Sequence, residues 1–273
     1  MKIYATSITL GLAACLFSAG HASALSYANN ITIYDGSGYT GVGTGGEDRE
    51  TEPGMVNSQV WDLEAFYQQQ NSLTMVGGFN FRNGVSGYPT FTSGDIFLDT
   101  NGSYGASQAP AGFIPKTGNV TVSGSFGYEY VLDLDFSNLT YLVYRLDTED
   151  VKTITAYYPQ NEIPDNALDP AANPWLYLSG GTQVGSGIID YAAGLSDAAV
   201  GGLLGGFHYA AGVDLSFLDP AQQFVAHFTM GCGNDNLMGR GTTAPVPEPA
   251  TMLLFGSGIF GLAAFRRRKL SIK

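Results

Sequence analysis

Cysteine is almost absent from this chain. Cys15 lies in an apolar N-terminal stretch, and Cys232 stands alone in everything that follows. Removal of a leader would therefore exclude an intramolecular disulfide, so stability has to come from burial of apolar side chains. Cations are scarce too. Twelve Lys and Arg face 24 Asp and Glu, a formal net charge of −12. Six of the cations sit at the two extreme ends. The body between them holds Arg49, Arg82, Lys116, Arg145, Lys152 and Arg240 against 23 carboxylates. Such a surface repels nucleic acid and anionic headgroups, so no nucleic-acid partner is expected. Long amphipathic helical patterns are missing, which argues against a helical fold. A serine nucleophile elbow, an HExxH helix and a phosphate loop are missing as well.

The two ends carry the clearest information. Residues 1–24 have a positive start at Lys2, an apolar run and a small-x-small site at Ala22-Ser23-Ala24. This pattern predicts an export signal cleaved before Leu25. Leu12-Ala13-Ala14-Cys15 offers a rival lipoprotein reading. At the other end, Pro247-Glu248-Pro249 precedes an uncharged run from Ala250 to Phe265, then Arg266, Arg267, Arg268 and Lys269. Sixteen residues reach roughly 24 Å as a helix, short of a hydrocarbon core of about 30 Å. The basic cluster is expected to stay cytoplasmic and leave the body outside.

This tail resembles the PEP-CTERM sorting signal of Gram-negative bacteria. The resemblance implies processing by exosortase, a membrane-embedded enzyme, with transient residence in the inner membrane. It also implies delivery to the cell surface or to extracellular polysaccharide. It implies nothing about the activity of the body.

That body, residues 25–240, is expected to be all-β. Short β-type runs alternate with turn clusters, which suggests an antiparallel sandwich, jelly-roll-like in order. Strands are predicted at Ile31–Tyr34, Val60–Tyr67, Leu73–Phe81, Ser93–Asp99 and Val151–Tyr158. Residues 36–52 and 159–174 are expected to be loops. Tyr128–Leu146 is predicted as a hairpin turning at Ser137-Asn138. It should bury Tyr130, Leu132, Leu134 and Phe136 and leave Asp133 and Asp135 wet. Residues 188–204 are Ala- and Gly-rich and could hold a short helix. Val213–Met230 forms the last β unit, its apolar face being Phe224, Ala226, Phe228, Met230 and Cys232. Residues 241–246 are expected to link the body to the sorting signal at 247–273.

Few residues point to chemistry. His227 and Cys232 have opposite strand parity and are poor partners for one metal. Asp95, Asp99 and Asn101 before Gly102 give part of a calcium loop, but the order of an EF-hand is not met. A strand running into an Asx-type turn is the better account of them, with calcium as the weaker candidate. "SGDIFLDTNG" and "HFTMGCGNDNLMG" are also similar to segments that recur in exported domains bearing such tails. Asp133 and Asp135 lie about 7 Å apart on one strand face, within the range of an inverting glycosidase pair, with no cleft legible around them. The Gly-rich acidic stretch at 36–52 has the wrong charge to hold phosphate. No resident cofactor and no catalytic set is expected. A structural or adhesive role in extracellular polymer leads, a carbohydrate-binding module follows, and an extracellular hydrolase stands third.

Overall fold

A computed structural model describes residues 25–34, 46–51, 55–85, 91–103, 118–158 and 172–245. The expected export signal and the apolar tail helix lie outside these residues. Among the described residues no helix is long and apolar enough to cross a membrane.

The described chain is built from fourteen strands. They are β1 (Thr32–Ile33), β2 (Leu63–Gln69), β3 (Ser72–Gly77), β4 (Ile96–Asp99), β5 (Thr121–Ser123), β6 (Tyr130–Asp135) and β7 (Thr140–Arg145). Then follow β8 (Lys152–Ile154), β9 (Leu176–Ser179), β10 (Thr182–Ile188), β11 (Asp190–Leu195), β12 (His208–Asp214), β13 (Gln223–Thr229) and β14 (Asn236–Thr242). Two short 3-10 turns, Gln59–Trp61 and Asp197–Val200, are the helical elements among the described residues. The strands form a seven-stranded sheet (β1-β14-β13-β4-β6-β7-β10), a four-stranded sheet (β11-β12-β3-β2) and a three-stranded sheet (β5-β8-β9). Every strand pairing is antiparallel, which matches the expected all-β class.

One apolar core joins the two larger sheets. Phe66, Met75 and Val213 enter it from the four-stranded sheet; Leu98, Leu132, Phe224 and Phe228 enter from the seven-stranded sheet. Gly239 in β14 allows close approach, since a Cβ there would meet the Phe66 Cβ at 2.9 Å. A second cluster lies on the opposite side of β4 and β6. There Phe97 and Val131 pack with Phe126, Tyr128 and Tyr177. The central strands are thus buried on both faces, and β4 is buried at every position.

That double burial corrects the hairpin expectation. Leu132 and Phe136 are buried as expected, but Tyr130 and Leu134 are only half-buried. Val131, on the supposedly wet face, is fully buried, and Asp133 is half-buried. The turn is also longer than expected. Asp135 pairs with Thr140, so residues 136–139 form the loop. Asp135 Oδ1 accepts the amides of Ser137 (2.9 Å) and Asn138 (3.0 Å), which closes it.

Three other expectations change. The stretch at 188–204 supplies β11 and a 3-10 turn rather than an α-helix. Small residues there suit pairing with Ala210 and Ala211 of β12. The last β unit is two strands, β12 and β13, separated by a turn at 215–222. Its apolar parity holds: Phe224, Ala226, Phe228, Met230 and Cys232 all enter the core. Finally, β14 extends to Thr242, into the stretch expected to be linker. Beyond it, the Thr243 amide donates to Gln222 O (2.9 Å) and the Ala244 amide to Asn71 Oδ1 (2.7 Å).

Candidate functional site

Three chain segments bring carboxylates together beside the start of β2. The first is the acidic end of the Gly-rich stretch, Glu47-Asp48-Arg49-Glu50. Arg49 has a φ of 67°, and its amide donates to Asp62 Oδ2 at 2.9 Å. The second is Asp62 and Glu64, which flank the core residue Leu63. The third is the turn after β13. Asp235 Oδ2 accepts the Leu63 amide at 2.5 Å and Oδ1 accepts the Asn236 amide at 2.9 Å. Asn234 fastens the same turn to Val56 through bonds of 3.1 and 3.0 Å.

The carboxylates form two groups. Glu47, Glu50 and Asp235 offer oxygens within 4.8 Å of one another, and so do Asp48, Asp62 and Glu64. Each group could hold a metal ion. Glu47, Asp62, Glu64 and Asp235 are almost fully buried. Asp48 is better solvated, and its two oxygens accept the Leu204 amide at 3.1 and 3.0 Å. Glu64 Oε1 accepts from Gln59 Nε2 (2.5 Å), and Oε2 lies 2.7 Å from His208 Nδ1. His208 Nε2 lies 3.0 Å from Asp197 Oδ1. Both ring nitrogens of His208 are therefore engaged. Asp62 Oδ1 is buried with no hydrogen-bond partner.

The electrostatics are one-sided. Burial, aided by Asp48 and Glu50, pushes the Asp62 carboxyl up to about 8. Burial and then Asp62 push Glu64 up to about 9. Asp235 is held well above the carboxylate range by burial and then by Asp62, Glu47 and Glu50. Packing anions out of water is costly unless a proton or a cation compensates.

The residues singled out in the sequence lie elsewhere. Asp95 and Asp99 direct their carboxylates to different amide donors. Asp95 accepts the amides of Leu134 (2.8 Å) and Tyr177 (2.7 Å), tying β6 to β9. Burial pushes its carboxyl up to about 8 against the pull of those donors. Asp99 Oδ1 accepts the amides of Asn101, Gly102 and Ser103 at 2.9–3.1 Å, an Asx-type turn. The Asn101 side chain donates to Glu129 Oε1 at 2.5 Å. His227 is buried against Tyr128, its Nε2 donating to Pro174 O at 3.0 Å. Cys232 is buried in the core, and its thiol is pushed up to about 12 by burial. Asp133 and Asp135 do line a cleft, contrary to the sequence reading. Its volume is about 620 Å³, and Arg82, Ser93 and Tyr141 share its walls.

The acidic groups beside β2 escaped the sequence reading. A signal was present: Asp62 and Glu64 interrupt an apolar strand, where unpaired charge is unusual. Their partners are up to 173 positions away, at Asp235, and could not be assigned by spacing.

The C-terminal end settles the sorting question. Residues 245–269 match the PEP-CTERM protein-sorting motif. The chain carries a PEP-CTERM tail. The match spans Pro247, Glu248, Pro249 and Arg266 to Arg268, which lie outside the described residues. A PEP-CTERM tail marks the chain for export, the exosortase pathway and the surface. No curated protein and no solved structure matches this chain.

Proposed function

We propose that the protein is a structural or adhesive component of the cell surface or extracellular polymeric substance. It is read as crossing the inner membrane of a Gram-negative bacterium by a signal ending at Ala22-Ser23-Ala24. The apolar tail anchors it there until exosortase acts. The observation that carries this reading is the position of the PEP-CTERM motif. It begins at residue 245, directly after the last residue hydrogen-bonded into the body, Ala244. Processing beyond Pro249 would leave the β-sheets intact. The shared core supports reading the two larger sheets as a jelly-roll-like sandwich. Mass spectrometry of the surface-released protein is expected to find residues 250–273 missing. An intact Arg-rich terminus in that fraction would refute processing. Deletion of the gene is expected to reduce retention of polymer at the cell surface, and unchanged retention would refute the matrix role.

A second reading is glycan binding at the cleft that includes Asp133 and Asp135. Phe81, Phe136 and Tyr141 give it apolar wall, and Arg82, Ser93 and Asp135 give it polar wall. Calorimetric titration with purified matrix polysaccharide is the check, with Arg82→Ala expected to lose binding. A hydrolase at the same place would draw on the split between the two carboxyls. Burial and Asp135 raise Asp133, while Asn138 lowers Asp135. Release of reducing ends that disappears in Asp133→Asn would favour that role over binding.

A further inference from the structure

We propose that the buried carboxylate cluster at the start of β2 is a divalent-cation site that takes calcium. The inference is independent of the matrix role. Two oxygens bound to one calcium at about 2.4 Å can lie no more than about 4.8 Å apart. Glu47, Glu50 and Asp235 meet that limit, and so do Asp48, Asp62 and Glu64. The carboxylate of Asp62 is the decisive group. It faces the oxygens of Asp48 and Glu64 at 1% exposure, and its Oδ1 has no hydrogen-bond partner. A buried carboxylate oxygen left without a donor is costly, and a cation would satisfy it.

The donor set selects the ion. Every available ligand atom is a carboxylate oxygen, the preference of a hard cation. Zinc favours nitrogen and sulfur donors. Both His208 nitrogens already face carboxylates, and Cys232 sits in the apolar core. Magnesium keeps several waters and suits sites with one or two carboxylates, whereas these groups are buried and carboxylate-rich. Arg49 is the guanidinium nearby, against six carboxylates. Calcium is also the ion for which an exported module needs only modest affinity, on the order of 10⁻⁴–10⁻³ M. An ion held by Glu47, Glu50 and Asp235 would tie the segment at 46–51 to the β13–β14 turn, and one held by Asp48, Asp62 and Glu64 would tie it to the start of β2. These pieces are far apart in sequence, so the ion would act as a staple on the folded state alone.

The test uses the exported protein, stripped with a chelator and dialysed. Calcium at about a hundredfold excess over Kd is expected to raise Tm by about 5–10 °C above sodium chloride at equal ionic strength. Magnesium at the same concentration is expected to give a small part of that rise. Asp62→Asn keeps the shape and removes one charge. It is expected to weaken calcium binding at least tenfold by calorimetry, while Tm in chelator stays level, because Asn keeps an acceptor for the Arg49 amide. Glu47→Gln tests the group of Glu47, Glu50 and Asp235 and remains informative if Asp62→Asn fails to fold. Asp99→Asn, in the Asx turn away from the cluster, is expected to keep the full calcium response. No calcium effect beyond sodium would overturn the site, as would a full effect retained in both Asp62→Asn and Glu47→Gln. An equal response to magnesium would overturn the assignment to calcium.

Discussion

His227 shows how a single buried residue links stability to pH. Its ring is fully buried, stacked on Tyr128 at 5.5 Å between centroids, and its Nε2 donates to Pro174 O. Burial lowers its pKa from 6.5 to about 4. The folded state therefore binds fewer protons than the unfolded chain between those values. Its stabilising contribution is complete above pH 6.5 and is lost as pH falls towards 4. At 1.36 kcal/mol per pKa unit, the loss amounts to about 3 kcal/mol. Urea denaturation at pH 7 and pH 4.5 measures it. His227→Phe is expected to flatten this part of the profile, and an unchanged slope would show that other groups carry it.

At the scale of the element, the β6–β7 hairpin shows why strand parity predicts only part of burial. A three-stranded sheet covers the face that alternation assigns to water, so Val131 is as buried as Leu132. Leu132→Ala is expected to cost about 2–5 kcal/mol and Val131→Ala about 1–3 kcal/mol. Leu134→Ala, at a half-buried position, is expected to cost less than Leu132→Ala. Leu142→Ala on the exposed side of β7 is expected to stay within about 0.5 kcal/mol. Denaturant midpoints for the four variants decide the order. A neutral Val131→Ala would remove the case for a second buried face.

For the whole molecule, the junction between body and tail sets what processing does to the fold. Thr243 and Ala244 make the last hydrogen bonds into the described body. Loss of residues 250–273 is expected to shift Tm by less than about 2 °C. Truncation after Arg240 removes the end of β14 together with the Thr243 and Ala244 bonds, and is expected to lower Tm by several degrees. Thermal melts of the two shortened chains beside the full chain in detergent measure the difference. Equal destabilisation by both would place part of the body's stability in the tail.

The sequence alone determined the β class, the core parity of β13 and the PEP-CTERM tail. Each is written in consecutive residues: alternation of apolar side chains, turn residues between them, and a triplet followed by an apolar run and arginines. The strand β14 was not legible, because Asn236-Leu237-Met238-Gly239-Arg240-Gly241 contains two glycines that weaken strand propensity. Only packing against Phe66 explains Gly239 there. Tertiary structure alone decided that β4 and β6 are buried on both faces, since the third sheet, β5-β8-β9, covers them. It also decided the carboxylate cluster. Glu47 and Asp235 look like ordinary acidic residues in their local context, and Asp62 breaks an apolar strand without indicating which residues it meets. Their buried proximity depends on long-range strand pairing, which brings distant segments together before any local pattern can announce it.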